Sequence, residues 1–224
     1  MEQHKNSMSN DDKIVLSYYD CLIRQSDKNL LTGKYWLNDI IIGFYMEYLN
    51  NNIVSKIDDK KIVLASPELT QLLKMMEPSD YSTILDSFIN KDNINLIFFP
   101  LNDSDNCEEI GGSHWSLLIY SHNENSCYHY DSCHGGNDDI AKKFSKKIFK
   151  YFSLNNNGIF INAKCLQQKN AYDCGIFVLC FTELICQKLL TKQCDNIKDC
   201  DTSDVVNYVS SKRNDINELI ESLS

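Results

Sequence analysis

Gly111-Gly-Ser-His114-Trp115-Ser-Leu-Leu-Ile-Tyr-Ser121, then His122-Asn-Glu-Asn125, then Ser126-Cys-Tyr-His-Tyr130-Asp131, is the stretch on which the fold turns. Residues 115–121 and 126–130 are short runs rich in aromatic and aliphatic side chains, the mark of strands. The four residues between them suit a hairpin turn. Antiparallel pairing returns the end of the second strand to the start of the first. His114 and Asp131 thereby become neighbours, as a base and the group that orients it require. Gly111 and Gly112 give a flexible approach that can bring backbone close to a ligand. Asp131 also reads simply as the start of a turn with Ser132, since Asp is common in turns. The pairing geometry favours the couple.

A cysteine nucleophile needs a base, a group to orient that base, and donors for the oxyanion. From Cys174 to Leu190 the chain is apolar nearly all round at first, which predicts a buried helix. Cys174 at its start would meet free backbone N–H groups and the positive dipole end, both of which stabilise a thiolate. Gly175 removes a side chain that could obstruct substrate or helix packing. Alone, Cys174 reads more readily as a structural buried thiol, and its neighbours raise the nucleophile reading. Gln168, in the polar loop before the helix, can donate to an oxyanion together with the Cys174 N–H. Gln167 competes for that role, and local sequence does not choose between them. Tyr172 and Asp173 read as capping or packing residues.

The rest of the chain reads as short elements of one domain. Leu37, Ile40, Ile41, Phe44, Tyr45, Tyr48 and Leu49 recur at helical spacing and predict an amphipathic helix over 37–50. Ser66-Pro67-Glu68 is an N-cap, a first-turn proline and an acidic first turn, followed by Leu69, Leu72, Leu73 and Met76 on one face. Residues 95–100 and 158–163 read as strands. Residues 138–152 form a helix with Ile140, Phe144, Ile148, Tyr151 and Phe152 inward. Its lysines at 142, 143, 146, 147 and 150 are a solvated face rather than a binding patch. Residues 202–223 predict one or two peripheral helices. Asn50–Asn52 and Asn155–Asn157 read as loops. The sum is an α+β domain spanning 13–224 behind a disordered tail, 1–12.

At 224 residues, one buried domain is expected. A formal charge of −9 argues against nucleic acid, whose phosphates demand basic patches. No apolar run is long enough for a membrane span, and Met1–Asp12 lacks a signal peptide's apolar core, so a cytoplasmic protein, with the nucleus also open to it, is expected. The ten cysteines are then expected to be reduced thiols. Zinc would need close pairs such as Cys-x-x-Cys, which are absent; Cys127, His129, Cys133 and His134 come nearest but fit no standard spacing. Cys180 and Cys186 read as small core residues. His4, His122, His129 and His134 read as bystanders.

With these residues in view, the chain resembles the sentrin/SUMO-specific cysteine proteases that act on ubiquitin-like proteins. His114-Trp115, Asp131-Ser132 and Gln168 with Cys174-Gly175 match the family's His-Trp, Asp-Ser and Gln-x5-Cys-Gly motifs, in order. The order differs from the Cys…His…Asn of papain-type enzymes. Residues 14–27, 36–43 and 111–118 are similar to the deneddylase branch, and the likeness covers about 13 to 190. Residues 133–137 and 191–203 depart from it.

The resemblance implies the papain-like cysteine protease superfamily fold, a central mixed β-sheet packed against helices, with no metal or organic cofactor. It selects Gln168 over Gln167. It implies catalysis by Cys174, His114, Asp131 and Gln168, with Trp36, Asp39 and Trp115 contacting the substrate. The two tryptophans would roof a tunnel for a C-terminal Gly-Gly, and Trp115→Ala is expected to weaken hydrolysis without unfolding. The implied partners are a ubiquitin-like modifier, foremost the neddylation modifier, and conjugates such as cullins, met by a monomer. Rival readings are a desumoylating protease, a non-catalytic modifier-binding module and an acyltransferase.

Overall fold

The computed structural model describes residues 12–58, 61–87, 89, 91, 93–104, 112–152 and 157–224. Gly111, Asn155, Asn156 and the predicted tail up to residue 11 lie outside the described residues. A hairpin of β1 (Ile14–Tyr18) and β2 (Cys21–Arg24) leads through the short α1 (Gln25–Asn29) to α2 (Asp39–Asn52). Then come β3 (Lys61–Leu64), α3 (Pro67–Met75) and the single turn α4 (Ser82–Leu85). The central strands are β4 (Ile94–Asn102), β5 (Trp115–Ser121) and β6 (Ser126–Tyr130). After them follow α5 (Asp138–Phe152), β7 (Ile159–Asn162), α6 (Cys174–Leu190), α7 (Val206–Val209) and α8 (Lys212–Leu223).

β3 to β7 form one sheet in sequence order. Its inner pairs, β4–β5 and β5–β6, are antiparallel; its outer pairs, β3–β4 and β6–β7, are parallel. This is the mixed sheet expected. Side chains alternate across a strand, so Leu117 and Ile119 pack with α2 and α6 while Leu118 and Tyr120 pack with α5. Helices cover both faces, and every residue of β5 is buried. A strand covered on both faces reads as a continuous apolar run.

Several predicted elements shift. The helix expected over 37–50 begins where Asn38 caps it by accepting the Ile41 N–H at 3.1 Å. Its middle, Ile41 to Met46, is buried on all sides rather than along one stripe. Asn50–Asn52, expected as a loop, forms its last turn, because Asn51 and Asn52 donate to the carbonyls of Glu47 and Tyr48, each at 2.9 Å. On α3 the cap at Ser66 holds, but Leu72 is exposed and the buried face is Thr70, Leu73 and Lys74. Lys74 turns inward because its ammonium finds the Asn102 carbonyl at 2.7 Å.

On α5, Lys142, Lys143, Lys146 and Lys150 are exposed. Lys147 instead donates to the carbonyls of Lys74 and Met76, at 2.9 and 2.8 Å, closing the C-terminal end of α3. The β1–β2 hairpin and β3 lacked a readable signal. Tyr19 turns the hairpin at φ +47°, a conformation ordinarily given to glycine or asparagine. Asp12, assigned to the tail, accepts the Ser26 N–H at 2.9 Å.

Candidate active site

The β5–β6 hairpin positions the first two site residues. Ser121 pairs with Ser126 and Leu117 with Tyr130, around a turn at His122–Asn125 where Asn125 takes φ +45°. His114 immediately precedes β5 and Asp131 immediately follows β6. Continuing the register brings them together, and His114 Nε2 lies 2.8 Å from Asp131 Oδ1. A carboxylate only accepts, so Nε2 carries the proton. Cys174 also acts on this ring, so the imidazole is flanked by the carboxylate at Nε2 and by the sulfur. His114, Asp131 and Cys174 are thus brought together at one place in the fold.

Electrostatics favour a charged base. Burial opposes the imidazolium, but the hydrogen bonds to Asp131 and Cys174 outweigh it and push His114 up to about 10. Burial likewise works against the Asp131 carboxylate. The His114 hydrogen bond and the N–H groups of Asn137 and Cys133 overcome that and hold it below its ordinary value. Cys174 opens α6, and no side chain caps that helix's first turn. The positive dipole end and unclaimed N–H groups of α6 are therefore directed at the sulfur's surroundings. Gly175 serves packing: a Cβ there would sit 3.1 Å from Leu37 Cβ.

The two glutamines part company. Gln168 Oε1 accepts the Ser132 hydroxyl at 2.8 Å, its backbone N–H donates to the Ser132 carbonyl, and its amide Nε2 donates to Asn170 O at 2.6 Å. That amide has a second N–H to offer. Gln167 is spent on the turn after β6: it donates to Asp131 O at 2.9 Å and accepts the His134 N–H at 2.7 Å.

The tryptophans are not equivalent walls. Trp36 lies before α2, is 51% exposed, and its indole N–H reaches Ala171 O at 2.6 Å. Trp115 is 8% exposed within the core, and its N–H is taken by Leu37 O at 3.0 Å. Asp39, the first residue of α2, is exposed.

Three supports escaped the sequence reading. Asp103 accepts the N–H groups of Ser113 and His114, at 2.6 and 3.0 Å, fixing the backbone that carries the imidazole. Gly112 beside them takes φ +100°, and a Cβ there would meet Asn102 Oδ1 at 1.9 Å, so glycine is required. Asn137, fully buried, donates its backbone N–H to Asp131 Oδ2 and its side-chain amide to Ser116 Oγ. His129, read as a bystander, is buried behind it, with Nε2 on the same Ser116 hydroxyl at 3.0 Å and Nδ1 near Asn162 and Asp138. Burial keeps its pKa below the ordinary value, despite Asp131 and Asp138 nearby. Asp103 stands in an Asn-Asp-Ser-Asp run and Asn137 in a Gly-Gly-Asn turn, where such residues carry no distinguishing signal.

The family model described as the Ulp1 protease family, C-terminal catalytic domain, matches residues 35–223. The chain belongs to the Ulp1 protease family. The chain is accordingly a cysteine peptidase. Among Ulp1-family relatives, it is 36% identical to sentrin-specific protease 8 of Homo sapiens, over 95% of this chain and 99% of that one. It is also 36% identical to NEDD8-specific protease 1 of Arabidopsis thaliana, over 80% of this chain and 77% of that one. The solved C-terminal Ulp1 protease domain, in complex with SMT3, the yeast ortholog of SUMO, superposes with a TM-score of 0.67 at 23% identity. That superposition covers 96% of this chain and 90% of the other, and shows a shared fold.

Proposed function

We propose that this protein is a deneddylase. It cleaves after the C-terminal Gly-Gly of the neddylation modifier, both in the precursor and at the isopeptide bond to target lysines. The observation that carries the chemistry is the His114–Asp131 hydrogen bond set beside Cys174 at the start of α6. The choice of modifier is supported by the relatives named NEDD8-specific and sentrin-specific protease 8, at 36% identity.

The Cys174 thiolate attacks the carbonyl carbon of the last glycine, and the carbonyl electrons move to oxygen. The Cys174 N–H and the second Gln168 amide N–H hold that oxyanion. His114, protonated and steadied by Asp131, gives its proton to the departing amine as the C–N bond breaks. Water, deprotonated by His114, then attacks the thioester, and the C–S bond breaks to return the Cys174 thiolate beside a protonated His114. Trp36 and Asp39 line the entry, and Trp115 supports it from beneath. Glycines suit such a slot because they lack a side chain.

Cullins are the proposed conjugates, the proposed setting is the cytoplasm and nucleus, and the enzyme is taken to act as a monomer. The test mixes purified protein with three C-terminal electrophile probes, built on the neddylation modifier, SUMO and ubiquitin, with Cys174→Ala as control. A Cys174-dependent adduct with the neddylation modifier alone is expected. A SUMO adduct instead would make the enzyme a desumoylating protease with the same chemistry, and binding without any adduct would make it a receptor.

A further inference from the structure

Arg213, on the C-terminal helix α8, is far in sequence from every site residue, yet its guanidinium ends beside the nucleophile loop. Nε and Nη2 both contact Asp173 Oδ1, at 2.9 and 2.8 Å. Nη2 also donates to Tyr35 O at 2.7 Å and Tyr172 O at 3.2 Å, and Nη1 to Leu30 O at 2.8 Å. The group lies 5.6 Å from the Tyr172 ring centre and is 16% exposed.

Two of those partners, Tyr172 and Asp173, immediately precede Cys174. Another, Tyr35, immediately precedes Trp36, whose indole crosses to Ala171 O. One planar cation therefore joins the segment carrying the exposed tryptophan to the segment carrying the nucleophile. No regular secondary structure ties these segments: both are irregular backbone whose carbonyls need donors. Asn170 closes the nucleophile loop from within, accepting the N–H groups of Tyr172 and Asp173, each at 3.0 Å. Arg213 reaches from that loop to the backbone of the tryptophan segment, alongside the bond from the Trp36 indole to Ala171 O.

We infer that Arg213 is a positioning residue, setting the distance between the Trp36 wall and Cys174 so that an extended Gly-Gly segment meets the sulfur in line. The inference rests on the proposed protease reading. Lysine could not replace it, because an ammonium offers three donors from one point, whereas the guanidinium fork reaches acceptors on several sides.

The test compares wild type with Arg213→Ala and Arg213→Lys, as full chains, on a fluorogenic substrate made of the neddylation modifier with a C-terminal coumarin amide. Arg213→Ala is expected to lower kcat by about 100-fold, the scale for misplacing a reacting group by an ångström. Added guanidinium ion should restore part of that rate in the alanine variant and none in wild type. Amide hydrogen exchange at residues 170–174 should quicken in both variants, a readout that needs no modifier. If wild type itself fails to turn over, the protease reading falls, and exchange together with the rate of Cys174 alkylation by iodoacetamide still judges Arg213. Should the alanine variant not fold, Arg213→Lys decides, since it keeps the charge beside Asp173. Wild-type kcat and wild-type exchange in a folded variant would overturn the proposal. So would a lowered melting temperature with unaltered kcat in the folded fraction.

Discussion

His114 and Asp131 meet at 2.8 Å across the open end of the β5–β6 hairpin, and Asp131 is itself held on both oxygens by the turn that follows it. Oδ1 accepts the Cys133 N–H at 2.8 Å and Oδ2 the Asn137 N–H at 2.9 Å. The carboxylate that orients the base is thus anchored to backbone. Gly136 packs under the imidazole, where a Cβ would come within 3.2 Å of Cδ2. Residues 133–137 accordingly carry the groups that hold Asp131 and pack against His114.

This pair sets a pH dependence of stability. His114 is raised from 6.5 to about 10, so its contribution is complete below 6.5 and is lost as pH rises toward 10. Asp131 is depressed below 3.8, so its contribution is present above 3.8 and is lost as pH falls through the lower folded value. The melting-temperature gap between wild type and His114→Ala should therefore be widest between those limits and narrow toward pH 10. A gap that grows with rising pH would contradict the charged pair.

Cys174→Ala should cut turnover by about 10⁴-fold or more, the scale for removing a nucleophile that acts as a unit with its base. Modifier binding, measured by calorimetry, should survive, because Cys174 is buried and only its sulfur is lost. Residual cleavage at the wild-type rate would move the nucleophile elsewhere.

Trp36→Ala and Trp115→Ala should differ in kind. Trp36 is half exposed, so its loss should leave the melting temperature nearly unchanged while kcat/KM falls. Trp115 is core, and truncating such a residue costs about 3–5 kcal/mol. The expectation that Trp115→Ala spares the fold is therefore replaced by substantial destabilisation. Thermal melts paired with kinetics check both.

Lys212 is 3% exposed, its ammonium in an ion pair with Glu183 and 3.2 Å from the Tyr45 hydroxyl. Burial beside Glu183 pushes the Tyr45 phenol well above its usual range, keeping it neutral. Lys212→Met should destabilise by about 1–3 kcal/mol, because the largely enclosed Glu183 carboxylate loses its charged partner and keeps only the Tyr45 and Gln187 donors. Urea unfolding should show a lower midpoint with an unchanged slope; an unaltered midpoint would mean Glu183 is hydrated.

The hairpin, α5 and α6 were legible because each is local. Periodicity, a four-residue turn and an apolar helix start are encoded within some twenty positions. The β1–β2 hairpin escaped notice because its tip, Tyr19, adopts a left-handed conformation without the glycine or asparagine that announces one. β3 escaped because a four-residue strand at the sheet's edge has too few positions to show a period. Leu72 misled because helical spacing identifies a stripe but not which stripe a neighbour covers.

The amino-acid order by itself determined the pairing of His114 with Asp131, since a hairpin brings its own ends together, and the placement of Cys174 at a helix start. Tertiary structure decided what local rules do not reach. It turned Gln167 to the turn and Gln168 toward Ser132 and Asn170, sank Trp115 while leaving Trp36 at the surface, and brought Arg213 to Asp173 across 40 positions. Those outcomes depend on which buried carbonyls and carboxylates remain in need of donors once the sheet and helices have packed. That demand exists only in the folded chain.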